Sequence, residues 1–464
     1  MSKFIKARLT VFANSLDPWV PEFWANETLR ILENSMVVSR LVNRDFSPYV
    51  QRQGDVVNTR QPASFTGERK VDGDNVTVQD ATATNVPVTL NQHCHVSFRI
   101  YDGEESKSLE SLVDFYIKPA AMALAQQADE LVMYQIYDFL ATAAGQLGTA
   151  PTVPTILNLR EKMLINKVPF PEGIAGIIPP AMEADLLGID SFFEADKVGD
   201  QGTAMREASL WKKFGIDWFM SQNAPSVASG STTHAAAIDN GNITAGSTVL
   251  TIDGTSETLV AGSWCTIAGD MTPQLITAVS GAPTTQITVS PGLASDVVDG
   301  AVVTVYVPGA INLPGSSYAA NYAKGMAVDG FMVAPKIGQL ASIGAAASLA
   351  ASAKYGVLNT STSPTTTLLD VNRGLDAAAA NDAVVGLGPA GNYGLAFHKD
   401  AMTLAIRPLA LPQPPVKAAL INYNGLSMRA IMTYEGLTQS TLVTLDFLAG
   451  VKTLNTSLGA VILG

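Results

Sequence analysis

Residues 108–144 read "SLESLVDFYIKPAAMALAQQADELVMYQIYDFLATAA". Apolar side chains recur there at Leu109, Leu112, Val113, Tyr116, Ala120, Ala123, Leu124, Ala128, Leu131, Val132, Ile136, Phe139 and Leu140. That spacing fits one face of an α-helix. Pro119 must either kink the helix or sit in its first turn, because it has no N–H to donate. From Pro119 to Ala144 such a helix would span about 39 Å at ~1.5 Å per residue. Asp129, Glu130 and Asp138 meet no basic residue on it and read as a solvated face. A rod of this length is unusual for a compact enzyme.

Upstream, residues 47–103 carry a β signal punctuated by Gly54, Gly67 and Gly73. Within it, "ERKVDGDN" (Glu68–Asn75) is a charged turn of the Asp-Gly kind that closes a hairpin. A long polar hairpin with little apolar content near its tip cannot bury itself, so it needs another surface to lie on. Arg60, Glu68, Arg69, Lys70, Asp72 and Asp74 crowd that segment, and their partners are expected on a neighbouring molecule. Before the hairpin, residues 18–46 are mixed helical, with Leu29, Leu32, Met36 and Leu41 roughly on one face. The chain opens with Lys3, Lys6 and Arg8 and no acid before Asp17, which makes a basic N-terminal arm, solvated or contacting a neighbour or partner.

The end of the hairpin raises a question of metal chemistry, since His93, Cys94 and His95 stand in a row in "NQHCHVSFRI" (Asn91–Ile100). Read as a strand, Val88, Leu90, Cys94, Val96, Phe98 and Ile100 fall on one face, and His93, His95, Ser97 and Arg99 on the other. Cys94 therefore points away from both histidines and behaves as a small buried hydrophobe. Two histidines fall short of the roughly four ligands a closed site needs. No metal site is expected.

Downstream, residues 155–225 look α/β, with a helix around "TILNLREKMLINK", a strand at "GIAGIIPP", a helix at "AMEADLLG" and a strand leaving through "WKKFGIDWFMSQNAPS". An internal repeat follows. "STVLTIDGTSETLVAGSWCTIAGD" from Ser247 lies over "AKGMAVDGFMVAPKIGQLASIGAA" from Ala323, matching Asp253-Gly254 to Asp329-Gly330, Gly262 to Gly338 and Ile267 to Ile343. Further on, "PTTQITVSPGL" from Pro283 lies over "PTTTLLDVNRGL" from Pro364, with Gly292-Leu293 matching Gly374-Leu375. Short strands between Gly/Pro/Asp turns in both copies predict two tandem β-barrels or sandwiches over residues 226–388, packed on each other or on the α/β part. The repeat ends in "GLGPAG", whose Gly386, Gly388 and Gly391 match a dinucleotide fingerprint. Pro389 and Gly394 interrupt any helix, however, and residues 404–415 hold no acid, so this is a loop. His398 with Asp400 suits a helix N-terminus better than a catalytic dyad.

Composition narrows the class. The chain has 464 residues, 47% hydrophobic and 15% charged, with a net charge of −12. That length suits several domains. The acidic balance disfavours wrapping nucleic acid, which requires Lys/Arg clusters on phosphate. Cys94 and Cys265 make no disulfide framework. The first residues form no signal-peptide core and no 18-residue apolar run occurs, so a soluble protein made inside the cell is expected. No P-loop, G-x-S-x-G elbow or H-E-x-x-H is present, and neither catalysis nor a cofactor is expected.

The segments "VDGFMVAPKIGQLASIG", "GPAGNYGLAFHKDAMTLAIRPLALP", "NGLSMRAIMTYEG" and "VTLDFLAGVKTLNTSLGAVILG" resemble the C-terminal half of tailed-phage coat proteins, most closely the insertion-domain type of short-tailed phages. "IKPAAMALAQQADELV" is similar to that family's spine helix, and the hairpin before it to its extended loop. The resemblance implies an α+β, Hong Kong phage-type (HK-type) capsid fold with an inserted all-β domain. The divisions would be an N-terminal arm (1–46), an extended loop (47–103) and a spine helix with peripheral domain (104–165). An axial domain (166–225) and the inserted tandem β modules (226–388) follow, and a return through both domains closes the chain (389–464). It also implies a major capsid protein assembling as pentamers and hexamers into an icosahedral shell around double-stranded DNA, bound without sequence specificity. Expected partners are further copies of itself, a separate scaffolding protein (contacted with neighbours through Lys3, Lys6 and Arg8), a portal protein and a decoration protein. Assembly would occur in the host cytoplasm, and the mature location would be the virion capsid. Lys70 lies near the loop tip, but no Lys–Asn crosslinking pair can be assigned. Another β-rich phage tail, decoration or adhesin protein is the competing reading, and the tandem repeat alone would suit it.

Overall fold

In the computed structural model, residues 28, 32, 36–44, 56–60, 67–70, 72–73, 75–76, 78, 85–101, 113–169, 173–193, 210, 212–227, 233–239, 241–253, 259–311, 317–331, 335–344, 354–362, 367–412, 417–423 and 426–464 are described. Mixed helix and strand, mostly strand, they form two larger open sheets, two two-stranded ladders, a long helical segment and two closed barrels.

The helical segment begins with a π-type turn, Val113–Ile117, continues as an α-helix (α1, Lys118–Met133) and tightens to 3₁₀ over Tyr134–Phe139. Pro119 sits in the first α turn, directly after the π-type turn. The segment ends earlier, on its C-terminal side, than its apolar period predicts. Ala143–Gly145 leaves the helix and pairs parallel with Val461–Leu463, so tertiary pairing overrides local spacing. Gly145 is needed there: its φ is +91°, and a Cβ would lie 2.5 Å from the Leu463 carbonyl oxygen.

One open sheet runs, in order, Ala143–Gly145, Gly459–Leu463, Gly391–His398, Ile174–Ile178, Ile216–Met220 and Lys212–Lys213. Two further helices, α2 (Val153–Ile165) and α3 (Pro180–Leu187), cover it through Ile156, Leu159, Met163, Met182 and Leu186. These are the expected α/β elements. The other sheet places Ser440–Thr453 between Met402–Arg407 and Leu426–Glu435 on one side and Gln92–Tyr101 on the other. Along Gln92–Tyr101, Cys94 and Ile100 are buried while His93, His95, Ser97 and Arg99 are exposed, the alternation read from sequence. Cys94 joins a core shared with Leu124, Ala128 and Leu131 of α1.

Val56–Arg60 and Asn85–Thr89 form an antiparallel ladder from Val56↔Thr89 to Arg60↔Asn85. Between the two strands, Asp72 and Gly73 form a turn in which Gly73 adopts a φ of +102°.

Each barrel has six strands. The first uses Thr233–Ile238, Val249–Asp253, Trp264–Ile267, Asp270–Ser280, Gln286–Ser290 and Val302–Tyr306. The second uses Gly309–Ile311, Met326–Asp329, Leu340–Gly344, Lys354–Thr362, Thr367–Val371 and Val384–Leu387. Numbered along the chain, both close in the order 1-2-5-4-3-6. Both also carry a bulge on strand four against strand five, at Ile276/Ala278 and at Val357/Asn359. Chain entry and exit meet, since Ser226–Val227 pairs with Gly391-Asn392. Gly386 lies in the last barrel strand and Gly391 opens the next, so the fingerprint-like glycines join strand to strand and open no helix.

Candidate assembly surfaces

The hairpin end presents Glu68, Arg69, Lys70 and Asp72, all exposed. Val76 and Val78 beside them are 74% and 85% exposed, apolar surface that no described part of the chain covers. Asp74 and the Arg60 side chain lie outside the described residues, as do Lys3, Lys6 and Arg8. A second exposed apolar stripe, Leu157, Leu164 and Ile165, runs along the outer face of α2. Phe115 and Met122 stand out beside α1 at 74% and 59% exposure.

His93 Nε2 lies 3.2 Å from Asp446 Oδ2, and Asp446 is already gripped by Arg429, whose Nε donates to Oδ1 at 2.9 Å. The His93 and His95 rings are 5.8 Å apart. Burial pushes the Cys94 thiol up to about 12, aided by the negative charge of Glu130, so it is no ready thiolate. Among the described residues no group of three or more His, Cys, Asp or Glu side chains is placed to hold a metal. His398 accepts from the Asp400 N–H at 3.3 Å and so caps the short 3₁₀ turn Lys399–Ala401. A groove of about 530 Å³ does open between the histidine strand, α1 and the second barrel, lined in part by His95, Gln126, Glu130, Lys324 and Asp370. Burial raises the Glu130 pKa, the hydrogen bond from Gln126 opposes the rise, and the charge of Asp129 adds to it.

Two carboxylates read as solvated are structural. Asp129 is buried and accepts the Val37 and Ser39 N–H groups, both at 2.8 Å, fixing the chain that precedes the sheet. Asp138 receives Arg373 of the second barrel in a two-pronged bond, Nη1 to Oδ2 at 3.0 Å and Nη2 to Oδ1 at 3.2 Å. Thr453 Oγ1 adds a donor to Asp138 at 2.7 Å, and Gln135 Oε1 accepts from Arg373 Nη1 at 2.9 Å. Burial lowers the Arg373 pKa, but Asp138 and Asp376 outweigh it and hold the guanidinium above its ordinary value. The partners are 235 residues apart, so no local pattern pairs them. The barrels are also tied to each other, for Trp264 Nε1 donates to Ser342 Oγ at 3.0 Å.

No protein-family model matches the chain, and no curated protein matches its sequence. Among solved structures, one from Mycobacterium phage Che8 is 12% identical, with a TM-score of 0.43 and coverage of 92% of this chain and 90% of that one. The capsid structure of the Cyanophage P-SCSP1u is 13% identical at TM-score 0.38, covering 89% and 84%. The capsid structure of Staphylococcus phage Andhra is 7% identical at TM-score 0.38, covering 92% and 84%. These likenesses are remote, and the functional case rests on the chain's own residues.

Proposed function

We propose that this chain is the major capsid protein of a tailed phage, a non-catalytic subunit that self-assembles into the virion shell around double-stranded DNA. The observation that carries the reading is the hairpin. Its base packs through Val88 on Ala405 of the same chain, but its charged end projects two valines that no described residue covers, so that end finds its burial on another molecule. The α1 segment beside it supports a flat, tiled subunit, and the resemblance in sequence order points the same way. The barrels alone would fit a tail, decoration or adhesin protein, but such a protein needs neither the hairpin nor the helical spine.

The tip residues Arg60, Glu68, Arg69, Lys70, Asp72 and Asp74 are then inter-subunit contacts, and Lys3, Lys6 and Arg8 reach a scaffold or a neighbour. The barrels are two copies of one module inserted at residues 226–388, a reading supported by their shared strand order and by the paired entry and exit strands. No Lys or Arg occurs between Lys213 and Lys324, so the first barrel carries Asp239, Asp253, Asp270, Asp296 and Asp299 with no Lys or Arg of its own. Such a module repels phosphate and belongs on the outer face of the shell.

The test is electron microscopy of the protein made with its scaffold. Wild type forms closed shells, whereas Arg69→Glu/Lys70→Glu stays as folded subunits or small oligomers with an unchanged melting temperature. Fibres or discrete monomeric particles from the wild type would defeat the capsid reading. Normal shells from the double variant would defeat the hairpin contact alone.

A further inference from the structure

The two barrels pose a recognition problem within one chain. They share a strand order, and Trp264 and Leu275 of the first and Leu340 of the second all belong to the core built around α1. Apolar burial is non-directional, so it gives little reason for the second barrel rather than the first to occupy the seat on α1.

The register makes the comparison residue by residue. Strand three pairs with strand four as Trp264↔Leu275 in one barrel and Leu340↔Gly356 in the other, so Leu275 holds the place of Gly356. After strand five, Leu293 and Leu375 make the same reciprocal backbone bonds. Leu293 N–H donates to Ser247 O at 3.0 Å and its carbonyl accepts from Gly246 at 2.7 Å. Leu375 N–H donates to Tyr322 O at 3.0 Å and its carbonyl accepts from Asn321 at 2.7 Å. Counting back, Ser290 and Pro291 hold the places of Asn372 and Arg373.

Gly356, Asn372 and Arg373 each meet α1 or its 3₁₀ extension. At Gly356 a Cβ would fall inside the Tyr134 side chain. Asn372 accepts the Gly356 N–H at 3.0 Å and donates to the Leu131 carbonyl at 3.5 Å. Arg373 closes on Gln135 and Asp138. At the matching places the first barrel would bring a leucine against Tyr134 and a proline to Asp138.

From this geometry we infer that Arg373, with Gly356 and Asn372, is the specificity determinant that seats the second barrel, and not the first, on the helix. A buried ion pair adds little net stability over an apolar pair of the same shape, yet a charge left there alone is heavily penalised. Its effect is therefore on choice more than on strength. This inference rests on the barrels being copies of one module and is independent of the capsid reading.

The test replaces the pair with apolar groups, Asp138→Leu/Arg373→Met, in protein carrying 5-fluorotryptophan. Trp264 is buried, so its fluorine resonance, assigned by Trp264→Phe, reports which seat its barrel occupies. Wild type gives one Trp264 resonance. The double variant remains cooperative on melting and adds a second, slowly exchanging Trp264 resonance, on the order of 10% of the signal. A folded double variant with a single wild-type Trp264 resonance would overturn the assignment. Should that variant not fold, Leu275→Gly/Pro291→Arg leaves the native pair intact and equips the first barrel for the seat. Two Trp264 resonances uphold the inference there, and one unshifted resonance overturns it.

Discussion

Set side by side, the two barrels differ least where they hold themselves together and most where they meet the rest of the molecule. Ile267 and Ile343, and Leu293 and Leu375, occupy equivalent places in separate barrel cores. The outward positions diverge instead: Trp264 against Leu340, Leu275 against Gly356, Pro291 against Arg373, Thr304 against Gly386. A barrel needs only interior volume and turn geometry to close, and many sequences meet that. Docking needs particular atoms at particular places. Substitutions at the second set should therefore have unequal effects in the two copies.

The largest effect is expected from Arg373→Met alone. It leaves Asp138, whose side chain is 15% exposed, without its cation, at about 3–5 kcal/mol. Asp138→Leu added to it should recover most of that loss, and thermal unfolding of the single and double variants gives the coupling directly. A double variant no more stable than Arg373→Met would show that the guanidinium contributes packing and not pairing. Trp264→Ala comes next. A fully buried indole is removed from the junction between barrels, together with its bond to Ser342, at about 3–5 kcal/mol. The matching Leu340→Ala should cost less, about 2–5 kcal/mol, because no hydrogen bond goes with it.

These contrasts also mark what the sequence makes legible. The α/β helices, the strand Ile174–Ile178, the alternation around Cys94 and the turn at Gly73 follow from local pattern and turn chemistry, so they could be read. The matched Asp253 and Asp329 each end the second strand of a barrel, so that part of the alignment was legible too. The roles of Asp129 and Asp138 were not, since their partners come from residues 90 to 315 positions away. The early end of the helical segment was equally hidden. Ala143–Gly145 continues a small-residue helical pattern until the carboxy-terminal strand claims its backbone. A sign was present in Arg373, a lone arginine where the first barrel has Pro291, though only an exact alignment of the two barrels exposes it.

The smallest expected effect sharpens the comparison most, because it contrasts one chemical change made in opposite directions. In the second barrel, Gly386 pairs with Ser342, and the first barrel's Gly262 carbonyl occupies the space a Cβ at Gly386 would take. Thr304 is the matching residue in the first barrel, paired with Thr266 and only half-buried. Gly386→Ala must push the barrels apart and should cost about 1–3 kcal/mol as overpacking. Thr304→Gly removes a half-buried side chain from a barrel strand. It should cost only about 0.5–1 kcal/mol, the entropic penalty of glycine in a regular element. The measurement is denaturant unfolding with Trp264 emission as the probe of the junction. Gly386→Ala should lower the midpoint and shift the Trp264 emission in the folded state, while Thr304→Gly should lower the midpoint slightly and leave that emission unchanged. Equal losses in the two variants would mean that both positions act through barrel closure. The docking surface would then have to be sought in Trp264 and Arg373 alone.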